Sequence, residues 1–337
     1  MRPDARLPVH VLTGFLGSGK TTLLNRWLQS PLLRETAVLI NEFGEVGLDH
    51  HLVQTLDDAP VLLANGCVCC AIRGDLKAAL LRLQDQRQAG EIPAYRRVLL
   101  ETTGVADPAP ILATLLHDSE LRHHVRPGRI ITTVDVLHGL TSLERHREVA
   151  QQIALADVIV LTKTDLSDGA AMQRISGVLR GLSPGAVLHE APLAGAGLIE
   201  GGEDPDSRDD RPMGDEACPF TEHTHTAPYR ALSLVLDEPL DWTAFGVWLS
   251  MLLHVHGTRV LRVKGLLHLT DGRPPVVING VQHLVHPPYH LASWPHRDRR
   301  SRLVFITEGL DEQRLLESLR VFGRVAARIR LGVDSAP

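Results

Sequence analysis

No apolar run in the 337 residues approaches the ~20 needed to span a bilayer. A membrane-embedded protein is therefore not expected. The apolar stretch near the N-terminus leads straight into a glycine-rich loop, which is unlike a cleaved secretory leader. An excess of basic charge is also missing: the formal net charge is −5, so a nucleic-acid partner is not favoured. Cysteine is scarce, with four in the chain. Three of them, Cys67, Cys69 and Cys70, lie within four residues. That is too close for a regular disulfide framework. The expectation is a cytoplasmic chain with reduced thiols. No internal repeat is visible.

What the chain does contain is 44% hydrophobic residues, enough for a sizeable core, at a length that suits two domains. Its charge is unevenly placed. Between Glu200 and Glu216 eight acids face two arginines, a net −6. Three regions are expected: an α/β domain over residues 1–195, an acidic flexible linker over 196–228, and a smaller α+β domain over 229–330. In the first, short apolar runs alternate with helical stretches, the mark of βαβ units on a mainly parallel sheet. Strands are expected at 9–13, 37–41, 61–64, 98–101, 130–134, 158–162 and 186–189. Helices are expected at 21–33, 75–86, 108–116, 144–154 and 170–182. The last region reads as antiparallel strands with helices, one of them capped by Asp241.

The clearest chemical signal is Gly14-Phe15-Leu16-Gly17-Ser18-Gly19-Lys20-Thr21-Thr22. It matches G-x-x-x-x-G-K-[ST] between an apolar strand and a helical run, the context a phosphate loop requires. Gly14, Gly17 and Gly19 let the backbone curl so that its N–H groups point inward. With Ser18, Thr22 and the helix N-terminus they surround the phosphates. Lys20 reaches the β- and γ-phosphates, and the Thr21 hydroxyl sits on Mg²⁺.

Further motifs follow other strands. Val98–Glu101 ends in an acid, with glycine three residues on. Glu101 suits a contact to Mg²⁺ and the Gly104 amide a contact to the γ-phosphate. Thr162-Lys163-Thr164-Asp165 follows the strand at 158–161. The Asp165 carboxylate would accept from guanine N1–H and the exocyclic amine, and the Lys163 stem would lie along the base, which selects GTP over ATP. Asn41-Glu42-Phe43-Gly44-Glu45 reads as a segment ordered by the γ-phosphate, with Glu42 on its metal side. Cys67, Cys69 and Cys70 are too tightly spaced for a structural zinc site of two separated pairs. They suit an open thiolate site for a transition metal such as Zn²⁺ or Co²⁺; a buried apolar or a redox role are the alternatives. His223 and His225 read as solvent-exposed, and Cys218 has no assigned role. All these motifs are expected just after the carboxyl ends of strands, where open parallel sheets bind ligands.

With these residues in view, the chain resembles the CobW-type P-loop GTPases, GTP-dependent metallochaperones related to the urease and hydrogenase nickel accessory GTPases. Gly14–Thr22 is similar to the family's G-F-L-G-x-G-K-T-T, Asn41–Gly47 to N-E-F-G-x-x-G, Gly66–Cys70 to G-C-x-C-C and Glu101–Gly104 to E-x-x-G. Later segments, among them Leu261–Gly265, Gly280–Gln282, Trp294 and Ser301–Ile306, resemble the family's C-terminal domain. The resemblance implies a P-loop NTPase fold and GTP hydrolysis with Mg²⁺. It also implies delivery of zinc or cobalt to a client metalloprotein, and a nucleotide-dependent homodimer in some members. Lys20, Glu101 and Gly104 would serve hydrolysis, with metal on Cys67, Cys69, Cys70 and Glu42. Two departures stand out. The family's long His-rich tract is reduced to His223 and His225, and Ser183-Pro184 replaces Asn-Pro, so no base contact is assigned there. A small-molecule kinase on the same loop is one alternative. A zinc-stabilised scaffold whose nucleotide is structural is a second, and a maturation factor for a single metalloenzyme, such as the cobalamin-pathway cobalt chelatase or nitrile hydratase, is a third.

Overall fold

The computed structural model describes residues 6–41, 61–62, 68–72, 75–200, 229–295 and 297–333. The chain divides into two compact units, residues 1–180 with 186–205 and residues 181–185 with 206–337. In chain order the first carries β1 (Leu7–Gly14), α1 (Lys20–Leu28), β2 (Thr36–Asn41), β3 (Val61–Leu62), β4 (Val68–Ile72), α2 (Leu76–Ala89) and β5 (Arg97–Glu101). It continues with α3 (Ala109–His117), β6 (Val125–Asp135), α4 (Gly139–Arg145), α5 (Arg147–Leu155), β7 (Val158–Thr162), α6 (Gly169–Leu182), β8 (Val187–Glu190) and α7 (Gly197–Glu200).

Its sheet runs β3-β4-β2-β5-β1-β6-β7-β8. Every neighbouring pair is parallel except β3 with β4. The chain builds outward on one side of β1, then crosses to the other at β6, which leaves a crevice at the carboxyl end of β1. Alternation along the central strands feeds two cores. Leu12, Val38, Ile40 and Leu99 pack with Leu24 and Trp27 of α1. Val9, Ala37, Leu39 and Leu100 pack with Leu80, Leu83 and Leu115 of α2 and α3. A sheet covered on both faces needs nearly continuous apolar strands, as β7 has in Val158–Leu161.

The expected mainly parallel α/β fold is therefore present, with three local corrections. The first helix stops at Leu28 and a 3₁₀ turn follows at Pro31–Leu33. Proline lacks the amide hydrogen and crowds the preceding turn. The stretch expected as one helix over 144–154 is two, α4 and α5, separated at His146 in an extended conformation. Third, Val68–Ile72 is a strand rather than a loop, pairing with β2 from Ala37↔Val68 to Asn41↔Ile72.

The second unit holds β9 (Tyr229–Leu236), α8 (Trp242–His256), β10 (Val260–Leu267), β11 (Val276–Val281), β12 (Leu284–Val285), β13 (Tyr289–His290), β14 (Ser301–Glu308) and α9 (Glu312–Val333). Its antiparallel sheet runs β12-β11-β10-β14-β9, with β13 on β11. Asp241 caps α8 by accepting from the Ala244 amide at 2.7 Å. Trp248 anchors the core between Phe245 and Phe305, and its indole N–H donates to Ser318 Oγ at 2.9 Å. Among the described residues no helix is long and apolar enough to cross a membrane.

Candidate nucleotide and metal site

β1 delivers the chain to Gly14, and the turn through Gly19 ends where α1 begins at Lys20. Gly17 and Gly19 have φ of 70° and 89°, in the left-handed region that favours glycine. Gly14 is constrained further, with φ of 142° and a neighbour too close for a side chain. A Cβ there would lie 2.3 Å from Thr133 Oγ1. The loop thus rests directly on the end of β6. Ser18 Oγ meets Thr133 Oγ1 at 2.7 Å, and Thr162 Oγ1 donates to the Ser18 carbonyl at 2.7 Å. Phe15 stacks on His146, with ring centroids 4.5 Å apart.

Lys20 is buried and folds back over the loop, its Nζ donating to the carbonyls of Gly14 at 2.8 Å and Phe15 at 3.1 Å. Burial lowers its pKa, opposed by the charge of Glu101. Among the described residues the ammonium has these two carbonyls and no carboxylate within hydrogen-bond distance. Thr21 Oγ1 donates to Glu101 Oε1 at 2.6 Å. A hydroxyl and a carboxylate side by side are hard oxygen donors, the kind Mg²⁺ prefers, so these residues fit the cation that accompanies a bound triphosphate. Thr22 is exposed beside them.

Beyond Glu101 the backbone turns under the loop. Thr102 Oγ1 donates to Thr13 Oγ1 at 2.8 Å and the Thr102 amide to Leu12 O at 3.0 Å. Gly104 then comes against the phosphate loop: a Cβ there would lie 2.7 Å from the Leu16 amide nitrogen. No side chain fits that approach.

Lys163 adopts φ of 57°, and Asp165 lies exposed in the 3₁₀ turn that follows. The Lys163 ammonium donates to Asp135 Oδ2 at 2.6 Å. Asp135 closes β6, and its other oxygen accepts from the Leu137 amide at 2.8 Å. This carboxylate was missed in reading the sequence. Its signal was there: like Glu101, it is an acid ending an apolar strand. Thr162, expected at the base, sends its hydroxyl to the phosphate loop and to Val134 O instead.

Glu42 and Cys67 lie outside the described residues, as do Cys218, His223 and His225. Cys69 and Cys70 come after β3, where the expected strand over 61–64 begins, but they are not in a loop: they are consecutive positions inside β4, paired with Val38 and Leu39. The reason is a gain in backbone pairing, because the short segment completes a ladder on the otherwise unpaired edge of β2. Register sets their backbone distance from the crevice. Leu12, Glu101, Ile40 and Ala71 share one row across β1, β5, β2 and β4. Cys70 is one row back from Glu101 and two strands away, about 10 Å by strand spacing. Among the described residues no three His, Cys, Asp or Glu side chains converge on a point.

Comparison with known proteins settles the lineage. The "CobW/HypB/UreG, nucleotide-binding domain" family matches residues 8–190, and the "Cobalamin synthesis protein cobW C-terminal domain" matches 229–322. The chain belongs to the CobW/HypB/UreG family. The zinc chaperone YjiA of Escherichia coli is 31% identical to this CobW-family chain over 318 residues, covering 92% of it and 96% of the relative. The zinc-regulated GTPase metalloprotein activator 1 of Schizosaccharomyces pombe is 35% identical over 173 residues, which is 49% of this chain and 41% of that one. Among solved structures, the Zn(II)-bound YjiA GTPase from E. coli superimposes with a TM-score of 0.74 at 28% identity, covering 94% of this chain and 99% of that one.

Proposed function

We propose that this CobW-family chain is a GTP-driven zinc chaperone. It hydrolyses GTP at the crevice above β1 and carries zinc, its cargo, on Cys67, Cys69 and Cys70 with Glu42. The observation that carries this reading is the strand order β4-β2-β5. The strand with two of the cysteines lies two places from the strand whose Glu101 bonds the Thr21 hydroxyl. Zinc named in a relative that matches nearly the whole chain, YjiA, supports it, as does the preference of thiolates for such a metal.

Each residue of the crevice has a task. The loop amides and Lys20 bind the phosphates, whose charge overcomes the cost of holding a buried ammonium. Asp165 accepts from the guanine edge, while Asp135 fixes the lysine beside it. Thr21 and Glu101 would hold Mg²⁺, which when bound neutralises charge on the β- and γ-phosphates. The Gly104 amide, pressed against the loop at Leu16, donates to the γ-phosphate and is left without that partner after hydrolysis. Movement of the segment after β5 would reach β4 through β2, the strand between them, and the thiolates would loosen. Zinc passes to a client metalloprotein, recognised by its own unfilled metal site.

The deciding experiment titrates Co²⁺, as a spectroscopic stand-in for zinc, with and without Mg²⁺ and a non-hydrolysable GTP analogue. Thiolate-to-cobalt charge-transfer bands should appear at lower Co²⁺ when the analogue is present, and Cys69→Ser should lose them while remaining folded. Bands that ignore the nucleotide would overturn the coupling, and unfolding of Cys69→Ser would make the metal structural.

A further inference from the structure

Gln152 lies on α5, outside every motif above, and is fully buried at 1% exposure. Its Nε2 donates to two backbone carbonyls of the segment after β5, Gly104 at 3.1 Å and Ala106 at 2.9 Å. Only the amide nitrogen can serve two carbonyls, which fixes the orientation of the side chain. α5 is itself moored, since Thr132 Oγ1 of β6 donates to the Gln152 carbonyl at 2.9 Å. The Gln152 Oε1 is buried with no hydrogen-bond partner among the described residues. Gln152 is among the residues around a cleft of about 170 Å³ whose walls include Phe15, Ser18, Asp135 and His138. A buried amide that leaves its oxygen unmatched carries a cost, so its two donated bonds have to matter to the arrangement.

We infer that Gln152 is a positioning residue for GTP hydrolysis. Its carboxamide clamps the carbonyls of Gly104 and Ala106, and so sets the Gly104 amide against the phosphate loop where the γ-phosphate lies. The inference rests on the reading of Gly104 as the γ-phosphate contact. The peptide at Gly104 is located from two sides: by the Leu16 backbone, which admits no side chain between them, and by the Gln152 amide. Leucine of similar size at 152 would keep the packing and remove the donors. Glutamate would keep the shape and set a carboxylate against two carbonyl oxygens.

The signature is a split between nucleotides. GDP has no γ-phosphate, so its affinity should stay within about twofold in Gln152→Leu and Gln152→Glu. Two lost hydrogen bonds correspond to roughly tenfold to a hundredfold. That factor should appear in kcat for GTP and in the preference for a non-hydrolysable GTP analogue over GDP. Binding is read by titration with a fluorescent nucleotide, turnover by phosphate release, and folding by the melting temperature of the full chain. Unchanged kcat and unchanged preference in both folded variants would overturn the inference. So would a parallel loss of GDP and GTP binding, which marks a general structural role. If the unaltered protein does not distinguish the analogue from GDP, the Gly104 reading fails first and this inference falls with it.

Discussion

Asp135 shows how one side chain can govern a site it need not touch. Its carboxylate grips the Lys163 ammonium with one oxygen and the Leu137 amide with the other. Asparagine would keep one acceptor oxygen for the Leu137 amide and lose the charge pairing. Asp135→Asn should therefore weaken GDP and GTP alike by about tenfold, the worth of a charge-assisted bond. Calorimetric titration checks this, and it separates Asp135 from Gln152, whose variants should spare GDP. His10 is the contrasting case, a buried group with no part in binding. Burial, then the charges of Arg97, Arg126 and Arg129, lower its pKa to about 3. Its Nδ1 accepts from the Arg129 amide at 3.0 Å, which requires an unprotonated nitrogen.

The turn from β1 to α1 is the element on which the site depends, and its tolerance is set by contact as much as by conformation. Gly14→Ala would drive a methyl into Thr133, with the backbone atom Thr133 O 2.5 Å from the new Cβ. Loss of nucleotide binding by at least about a hundredfold is expected, because the loop must lift away from β6 to make room. Fluorescent-nucleotide titration on the folded variant reads this out. Gly17→Ala, with no neighbour within 4 Å of its Cβ, should suffer only from its φ of 70° and lose far less. The break at His146 is a second such device. It ends α4, starts α5, and brings an imidazole onto the Phe15 ring. Helical periodicity alone could not reveal it, since the residues on both sides are good helix formers.

For the molecule as a whole, acid should be destabilising through His10. In the unfolded chain its pKa is the ordinary 6.5 and in the fold about 3. Between those values the unfolded state binds the extra proton, so stability falls as pH drops through that window. The slope is up to about 1.4 kcal/mol per pH unit. His10→Asn keeps an acceptor for the Arg129 amide and should flatten the dependence of melting temperature on pH between 6.5 and 4. A second whole-molecule test follows from linkage. Whatever factor the GTP analogue adds to zinc affinity, zinc must add to the analogue's affinity. Paired titrations giving unequal factors would mean that the two ligands bind different assemblies.

Much of this was visible in the order of residues. The phosphate loop, Glu101 with Gly104, and the segment ending in Asp165 are short and contiguous, because a phosphate or a base edge is gripped by a few consecutive backbone and side-chain groups. The βαβ alternation was equally plain, since strands buried on both faces must be apolar throughout. Asp135, Thr133 and Gln152 escaped notice because each acts on a partner 28 to 120 residues away in the chain. Nothing local marks such a residue. The placement of Cys69 and Cys70 in a strand was likewise decided by an edge waiting to be paired, which no run of neighbours encodes. Local chemistry therefore wrote the candidate ligands into the chain, while packing between distant segments chose the groups that hold those residues in position.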